Sequence, residues 1–317
     1  MRGIFLDFET LAPADLDTDD FLSTPVQWTL FRHTTPDQRA ERIIDADIVV
    51  CNKVQIDAAL MAAATRLKLI AVTATGTNNI DLVAARRQGI RVCNVAAYAT
   101  ASVVEHVFAL LLTLTRRLDR YRQRVADGDW SRANQFCIFD QPISELAGQT
   151  LGIVGFGELG SAVARIAETF GMRVLVAQRP GAPPTTGRWP LERLLPQVDV
   201  LSLHCPLTDA TRNLLGETEI RLMKPGSLLI NTARGGLVDE AALLRALRDG
   251  HLAGAALDVL AEEPPAVDHP LIRAGHPNLI ITPHVAWASR EARQRVLDRT
   301  AQNIRTFLHD RDAGITD

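Results

Sequence analysis

An apolar run, three glycines and a helical segment follow one another in the middle of this chain. Leu151–Gly155 is typical of a buried strand, Gly155, Gly157 and Gly160 have the spacing Gly-x-Gly-x-x-Gly, and Ser161–Phe170 has a helical pattern. Glycines at these places permit a tight turn and a close approach of the backbone to a pyrophosphate, which the free N–H groups and the dipole at the helix N-terminus then bind. This succession predicts a dinucleotide-binding doubly wound sheet.

Strand-like runs and helical segments alternate on both sides of this motif. In the second half of the chain, strands are predicted at Leu151–Gly155, Arg173–Ala177, Val198–Leu203, Ser227–Asn231, Gly254–Val259 and Leu279–Thr282. In the first half they are predicted at Ile4–Leu6, Trp28–Phe31, Ile48–Cys51, Leu69–Thr73 and Ile90–Asn94, with helices such as Asp57–Arg66 and Asp81–Gln88 between them. Such alternation indicates parallel sheets with crossover helices.

A length of 317 residues fits two domains. Ser102–Arg117 begins with an N-terminal capping pattern and is predicted to be the helix that connects them. Beyond His284, the Arg- and Glu-rich segment Ser289–Leu308 is predicted to be a long helix that returns the chain to the first domain. We therefore expect a substrate domain of residues 1–99 plus 289–317 and a dinucleotide-binding domain of residues 100–288.

Charge and cysteine usage exclude several classes of protein. The net charge of −3 provides no basic footprint for nucleic acid or for an anionic membrane surface. The cysteines lie far apart, without a Cys-x-x-Cys pair or a histidine at metal-ligand spacing, so we expect no metal site and a reducing compartment. The longest apolar stretch, Val103–Leu114, is too short to cross a bilayer, and the N-terminus has no signal-peptide pattern. We therefore expect a cytoplasmic protein.

The end of the second strand after the glycines bears on which dinucleotide is bound. An acidic side chain at this place, about 20 residues on, normally binds the ribose of NAD. This chain has Gln178 and Arg179 there, at the start of a Pro/Gly-rich surface loop, Pro180–Pro190. Loss of the carboxylate removes repulsion against a 2′-phosphate, and Arg179 can pair with that phosphate through two hydrogen bonds. NADP(H) is therefore favoured; NAD(H), with Arg179 a solvated loop residue, is the alternative.

Three later segments carry the residue types that a carbonyl reduction needs. Arg234 follows a predicted strand, where its guanidinium can hold a substrate carboxylate and polarise the adjacent keto oxygen. His284 follows the last strand and is a suitable proton donor to an alkoxide at neutral pH. Glu263, in the loop after Asp258, is the candidate carboxylate that orients the imidazole and favours its protonated form. A histidine alone at such a place is more often structural, but the three together favour catalysis.

Six segments carry a specific resemblance: Thr75-Gly76-Thr77-Asn78-Asn79-Ile80-Asp81, Gly155–Gly160, His204-Cys205-Pro206-Leu207-Thr208, Asn231-Thr232-Ala233-Arg234-Gly235-Gly236, Asp258-x-x-x-x-Glu263-Pro264 and Thr282-Pro283-His284-x-Ala286. In this order they resemble the signatures of the D-isomer-specific 2-hydroxyacid dehydrogenases over nearly the whole chain. The resemblance implies an α/β protein of two doubly wound parallel-sheet domains, a flavodoxin-like substrate domain and a Rossmann dinucleotide-binding domain, with the active site in the cleft between them.

The resemblance also implies roles for single residues. Arg234 would anchor the substrate carboxylate and activate the carbonyl, His284 would be the acid/base, and Glu263 would orient it. The loop around Thr75 and Gly76 would turn backbone N–H groups toward the substrate carboxylate. Further implied cofactor contacts are Thr100, the backbone of Glu158 and Leu159, His204, Pro206, Thr211, Thr232, Ala233, and Asp258 near the nicotinamide carboxamide.

Gln178 departs from the family pattern, which normally has an acidic residue at this position. An acidic residue there would make NAD the expected cofactor. The family is commonly dimeric, so a homodimer is expected. The apolar helix Val103–Leu114 is a candidate for its interface, with an internal core as an equal explanation.

Within the family, Cys51-Asn52-Lys53, Phe136–Pro142 and His284–Ser289 resemble most the glycerate dehydrogenases, that is hydroxypyruvate or glyoxylate reductases. The resemblance implies reduction of a small 2-keto acid to D-glycerate or glycolate, or the reverse reaction. Asn52 and Lys53 follow a strand and are expected to meet polar groups of a short substrate, and Trp287 would limit the room beside His284. Lys53 as an ordinary surface lysine and Trp287 as a packing residue are the alternatives.

Two rival functions stay open at this level. A phosphite-type dehydrogenase resembles this family and has the same Arg, Glu and His. A corepressor-like scaffold that senses a dinucleotide would belong to another class, although the sequence shows no long disordered tail or peptide-docking extension. Turnover of a 2-keto acid distinguishes the classes.

Overall fold

The computed structural model describes residues 1–312 and divides into two compact units. Unit 1 comprises Met1–Ala99 together with the described residues from Trp287 onward, and unit 2 comprises Thr100–Ala286. Trp287 and Ala288, which we expected in the dinucleotide-binding domain, therefore cluster with unit 1.

Strands and helices alternate along the chain in both units. The strands are β1 (Arg2–Phe5), β2 (Gln27–Leu30), β3 (Ile48–Cys51), β4 (Leu69–Val72), β5 (Arg91–Cys93), β6 (Thr150–Val154), β7 (Arg173–Val176), β8 (Val200–Leu203), β9 (Ser227–Asn231), β10 (Leu252–Leu257) and β11 (Leu279–Ile281). The α-helices are α1 (Asp19–Leu22), α2 (Arg39–Ile43), α3 (Ala58–Ala63), α4 (Leu82–Arg87), α5 (Thr100–Arg116), α6 (Leu118–Ala126), α7 (Glu158–Thr169), α8 (Leu191–Leu194), α9 (Glu217–Leu222), α10 (Glu240–Arg248), α11 (Pro270–Arg273) and α12 (Arg290–Asp312).

Unit 1 is built on a five-stranded parallel sheet in the order β2-β1-β3-β4-β5. This is the flavodoxin-like order. Every residue of β3 and β4 is buried, because parallel strands covered on both faces require continuous apolar runs. Asp57 and Asp81 cap α3 and α4 by accepting hydrogen bonds from backbone N–H groups three residues on, both at 2.9 Å.

Unit 2 is built on a six-stranded parallel sheet in the order β11-β10-β9-β8-β6-β7. Beyond β7, Trp189 forms a single parallel bridge with Ala177. This bridge occupies the place of the third strand in the common dinucleotide-binding order, in which strand 3 lies outside strand 2. The expected pair of parallel-sheet α/β domains is therefore confirmed, and all sheet pairs in the described residues are parallel.

α5 packs its apolar side inside unit 2. Its side chains at positions 103, 104, 107, 108, 110, 111 and 114 are all buried. The internal core is therefore the explanation that the structure supports for the long apolar stretch. Within residues 1–312, no helix is both long and apolar enough to cross a membrane.

Candidate active site

The glycine turn between β6 and α7 has the form that a pyrophosphate requires. α7 begins at Glu158 directly after Gly157, so the N–H groups of its first turn have no carbonyl partner inside the helix. A β-carbon at Gly160 would lie 2.0 Å from the carbonyl oxygen of Gly155, whereas one at Gly157 would meet no described atom within 4 Å. Gly160 therefore allows the helix to pack on the strand, and Gly157 leaves space at the helix terminus for a ligand.

Thr100 and Glu158, both expected at the cofactor, contact each other. The hydroxyl of Thr100, at the start of α5, donates a hydrogen bond to the carboxylate of Glu158. A carboxylate at a helix N-terminus interacts favourably with the helix dipole. The Glu158 side chain thus adds negative charge in the first turn of α7, a feature that the expected backbone contact did not include.

Two buried polar atoms at the carboxyl ends of β8 and β9 lack a hydrogen-bond partner within the described part of the chain. They are Nδ1 of His204 and Oγ1 of Thr232. Both residues are among the cofactor contacts that the resemblance implied. Because an unsatisfied buried polar group costs about 1–3 kcal/mol, such atoms often indicate where a ligand or water completes the bonding. The residues of unit 2 therefore fit a nicotinamide dinucleotide.

The imidazole of His204 is held in its neutral form. Its Nε2 and the hydroxyl of Ser202 are 2.8 Å apart, and burial lowers the pKa of His204 to about 4. Since the ring is uncharged at pH 7, its unpartnered Nδ1 can offer a ligand a neutral hydrogen bond but no positive charge.

Gln178 uses its side chain to brace the loop that follows it. Its Nε2 donates to the carbonyl oxygens of Ala182, at 3.3 Å, and Pro183, at 2.5 Å, and its Oε1 accepts from the backbone N–H of Thr185 at 3.1 Å. Arg179 beside it is exposed. Contact of Gln178 or Arg179 with the cofactor stays a prediction.

Arg234 lies in a tight turn directly after β9. The side chain of Asn231 brackets this turn, since its Nδ2 donates to the carbonyl oxygen of Arg234 at 2.9 Å and its Oδ1 accepts from the N–H of Ala233 at 3.0 Å. The guanidinium donates to the carbonyl oxygen of Ala233 at 2.6 Å. Arg234 is partly buried, and its remaining N–H groups supply a planar donor fork for a carboxylate.

His284 and Glu263 form the pair that the sequence predicted. Nδ1 of His284 lies 2.6 Å from Oε2 of Glu263, and the other carboxylate oxygen accepts from the backbone N–H of Leu260 at 2.9 Å. Because the carboxylate only accepts when ionised, it fixes a proton on Nδ1 and leaves Nε2 for a substrate. Both side chains are partly exposed, at 25% for His284 and 34% for Glu263.

Gly235 brings the arginine turn against the loop that carries Glu263. A β-carbon at this glycine would lie 1.9 Å from the carbonyl carbon of Leu260, so no larger residue fits. The same Leu260 donates its N–H to Glu263. The ends of the neighbouring strands β9, β10 and β11 therefore place Arg234, Glu263 and His284 on adjoining loops of unit 2.

Asp258 braces the loop of His284, a role that the sequence did not predict. Its side chain is only 1% exposed. Its carboxylate accepts from the hydroxyl of Thr282 at 2.6 Å and from the N–H groups of Val285, at 2.9 Å, and Ala286, at 2.8 Å. The same hydroxyl lies 3.0 Å from Nε2 of His106 on α5, which extends the network into the core. The expected contact of Asp258 with the nicotinamide stays a prediction.

In unit 1, a buried carboxylate organises the expected substrate loop after β3. Asp7 accepts hydrogen bonds from the N–H groups of Asn52, at 2.8 Å, and Lys53, at 2.7 Å. Burial raises the pKa of Asp7, and these backbone donors oppose that shift. Asn52 itself is 3% exposed and donates to Oγ1 of Thr10 at 3.2 Å, whereas Lys53 is exposed. Asp7 gave no signal in the sequence because it is 45 residues from Asn52.

Thr75 is fixed to the residues that follow β5. Its hydroxyl donates to the carbonyl oxygen of Val95 at 3.0 Å, and its own carbonyl accepts from Nδ2 of Asn94 at 2.6 Å. Gly76, the next residue, is partly buried. Trp287, also in unit 1, packs edge-on against Tyr98, with ring centroids 6.2 Å apart. This contact agrees with the packing alternative for the tryptophan.

The other expected cofactor residues surround the same strand ends of unit 2. The hydroxyl of Thr211 is buried and donates to the carbonyl oxygen of Pro206 at 2.8 Å, so it closes the 206–211 turn. Pro206 itself is exposed, and Leu159 and Ala233 are partly buried. Their cofactor contacts stay predictions.

These observations agree with what known proteins of similar sequence and structure show. A family model described as D-isomer specific 2-hydroxyacid dehydrogenase, NAD binding domain, matches residues 108–286. The glycerate dehydrogenase of Methylorubrum extorquens is 46% identical over 308 residues, covering 97% of this chain and 96% of that protein. The chain belongs to this dehydrogenase family. It is an oxidoreductase that uses a nicotinamide dinucleotide to interconvert 2-keto acids and D-2-hydroxy acids.

Two further relatives show how wide the similarity is. This dehydrogenase is 36% identical to the hydroxypyruvate reductase of Blautia hydrogenotrophica over 314 residues, which cover 97% of each chain. An acyclic imino acid reductase in complex with NADPH and D-Arg superposes with a TM-score of 0.86 at 29% identity, covering 98% of each chain. The expected family and fold are thereby confirmed.

Proposed function

We propose that this dehydrogenase reduces hydroxypyruvate or glyoxylate to the D-2-hydroxy acid, with NADPH as the preferred donor. The His284–Glu263 pair, whose glutamate lies on the loop that adjoins the Arg234 turn, is the observation that carries the proposal. The similarity to a glycerate dehydrogenase and a hydroxypyruvate reductase, each over 97% of this chain, supports a short polar substrate.

The proton chemistry follows from the bonding of His284. When bound, a reduced nicotinamide supplies the hydride that adds to C2 of the keto acid. The carbonyl π pair then moves onto oxygen, and His284 gives that oxygen its Nε2 proton, leaving a neutral imidazole. Glu263, bonded to Nδ1, orients the ring and stabilises the imidazolium that donates. In the reverse direction, the neutral ring takes the hydroxyl proton.

Arg234 is proposed to hold the substrate carboxylate and to polarise the carbonyl. A planar guanidinium binds a carboxylate through two parallel hydrogen bonds, which orients the neighbouring C2. Its partial burial strengthens this interaction relative to water, since fewer water molecules compete for the donors.

The proposed preference for NADPH rests on the end of β7. Gln178 occupies the position of the usual ribose-binding acid, and its amide is bonded into the following loop. Exposed Arg179 provides the positive charge that a 2′-phosphate needs.

The proposed assembly is a homodimer formed through a segment of unit 2 with exposed aromatic side chains, residues 118–143, which we name the arm. Its side chains include Phe136, 89% exposed, and Phe139, 78% exposed. Aromatic side chains so exposed on one segment are typical of an interface, and a second copy of the chain would cover them. The cytoplasmic location stays a prediction from the sequence.

Initial rates on a small panel test the substrate. We expect kcat/KM to be highest for hydroxypyruvate or glyoxylate with NADPH, lower with NADH, and lower again for longer 2-keto acids. A preference for bulky keto acids would refute the substrate, and oxidation of phosphite with NADP⁺ in place of keto acid turnover would favour the phosphite-type rival. Dinucleotide binding without turnover of any of them would favour the scaffold.

A further inference from the structure

The loop that follows β7 returns to the strand that it left. The N–H of Trp189 donates to the carbonyl oxygen of Val176 at 2.9 Å, and the N–H of Gln178 donates to that of Trp189 at 2.7 Å. With the side-chain bonds of Gln178 to residues 182–185, the loop is tied at its start, middle and end. Its last residues are therefore hydrogen-bonded to the end of β7 through one parallel bridge.

This closure puts a second arginine at the glycine turn. Arg188 precedes the bridging tryptophan, and its guanidinium carbon lies 4.4 Å from the ring centroid of Phe156. Phe156 is the residue between the first two glycines of the motif. Because β6 and β7 are neighbouring parallel strands, their carboxyl ends open on the same edge of the sheet. Arg188 therefore lies on the edge where a dinucleotide ribose is expected.

The charges of this loop favour a dianion. From residue 177 to residue 191 the sequence contains two arginines, Arg179 and Arg188, and no acid. Neither arginine belongs to any of the ion pairs of the described residues. The contact with Phe156 orients the guanidinium of Arg188 without neutralising it, since a cation over an aromatic face keeps its charge and its N–H donors.

We propose that Arg188 is a second specificity residue for the cofactor and that it binds, together with Arg179, the 2′-phosphate of NADP(H). The proposal rests on the NADPH preference stated above. Gln178 then acts as a positioning residue, which holds the loop that presents Arg188.

Binding of nucleotide fragments tests the proposal without any turnover. Calorimetry on the full-length protein compares 2′,5′-ADP, which has the 2′-phosphate, with 5′-AMP, which lacks it. Loss of one charge-assisted contact costs about 1.5–3 kcal/mol, so Arg188→Met should weaken 2′,5′-ADP binding about tenfold or more and 5′-AMP less than about twofold. Arg188→Lys, which keeps the charge, should lose less.

Arg193 on α8 supplies the matched control, because it is an exposed arginine outside the loop. Arg193→Met should leave both ligands unchanged, and an unchanged Tm of each variant excludes misfolding. Equal losses for the two ligands in Arg188→Met, or no loss, would overturn the proposal, as would a wild-type protein that does not prefer 2′,5′-ADP. A selective loss in a protein that reduces no keto acid would support Arg188 while refuting the proposed substrate.

Discussion

His284 has a left-handed backbone conformation, with φ of +56°. For a residue with a β-carbon this costs about 1–2 kcal/mol. The conformation is held by its own N–H, which donates to the carbonyl oxygen of Asp258 at 2.8 Å, and by the next two N–H groups on the Asp258 carboxylate. Backbone strain at a functional residue persists where the surroundings fix it, and here they direct the imidazole toward Glu263.

Glu263→Gln tests the orienting carboxylate. An amide can still contact Nδ1 but places no negative charge beside the ring that donates the proton. We expect kcat for keto acid reduction to fall about tenfold or more.

Glu262→Gln is the control for this change, since Glu262 is the adjacent, exposed glutamate. It should leave kcat as in the wild type. An unchanged kcat in Glu263→Gln would contradict the pairing.

His204 makes the stability of the protein sensitive to acid. Burial lowers its pKa to about 4 in the folded state, whereas an unfolded histidine has its ordinary value of 6.5. The unfolded state therefore gains a proton between these two values and the folded state does not. Stability present above pH 6.5 is lost as the pH falls toward 4, by up to about 3 kcal/mol.

His204→Gln removes this proton uptake. Urea unfolding at pH 7.5 and pH 5 should show a smaller acid-induced loss of unfolding free energy in the variant than in the wild type. An equal loss in both proteins would show that another group titrates.

At the scale of elements, the glycine turn separates a packing requirement from a binding requirement. In Gly160→Ala the added methyl would meet the carbonyl oxygen of Gly155, so we expect a destabilisation of about 1–3 kcal/mol, measured by urea unfolding. In Gly157→Ala the methyl meets no described atom within 4 Å and the backbone conformation suits alanine, so stability should be kept.

Binding of the cofactor, measured at constant folded fraction, should be affected in the variant that keeps its stability. Gly157→Ala should weaken binding of the dinucleotide by about tenfold or more, because the methyl occupies the space that the pyrophosphate needs. A stable Gly157→Ala protein with unchanged affinity would remove the turn from the cofactor site.

The strands could be predicted from the sequence to within about two residues, because buried parallel strands have continuous apolar runs between turn residues. Three features of the structure could not be predicted from the sequence. The bridge of Trp189 lies in a stretch rich in proline and glycine, which indicates only a loop. The braces Asp7 and Asp258 act on backbone N–H groups, and nothing in a sequence marks which N–H groups a carboxylate will reach. The amide of Asn52 donates to Thr10. The sequence does not predict this contact, because the direction of a side chain at a strand end depends on packing.

The positions of the three proposed catalytic residues were predictable for a different reason. Arg234, Glu263 and His284 each follow a strand of one parallel sheet, and the carboxyl ends of such strands share an edge. Residue chemistry and sheet topology were therefore sufficient to predict that the three residues lie near one another. The close packing of the Arg234 turn on the Glu263 loop depends on Gly235, whose approach to Leu260 only the folded chain shows.

At the scale of the whole molecule, the exposed aromatic side chains of the arm lead us to predict a homodimer. Replacing Phe136 and Phe139 together by serine removes two exposed aromatic anchors, and such anchors dominate interface energies. We expect sedimentation velocity to show a dimer for the wild type and a shift of at least about tenfold in the dissociation constant for the double variant.

Val267→Ser is the matched control, because Val267 is 98% exposed but lies outside the arm. It should leave the assembly unchanged. A wild-type monomer, or a double variant that stays dimeric at the same concentrations, would assign the arm another role.

The central claim is that His284 delivers the proton in a reduction driven by a nicotinamide hydride. Single-turnover oxidation of NADPH by hydroxypyruvate, compared between the wild type and His284→Asn, tests it directly, with NADPH fluorescence confirming that both bind the cofactor. We predict that the variant binds NADPH normally and that its rate falls about 10²–10⁴-fold. A variant that binds NADPH and keeps its rate within about twofold of the wild type would contradict the account.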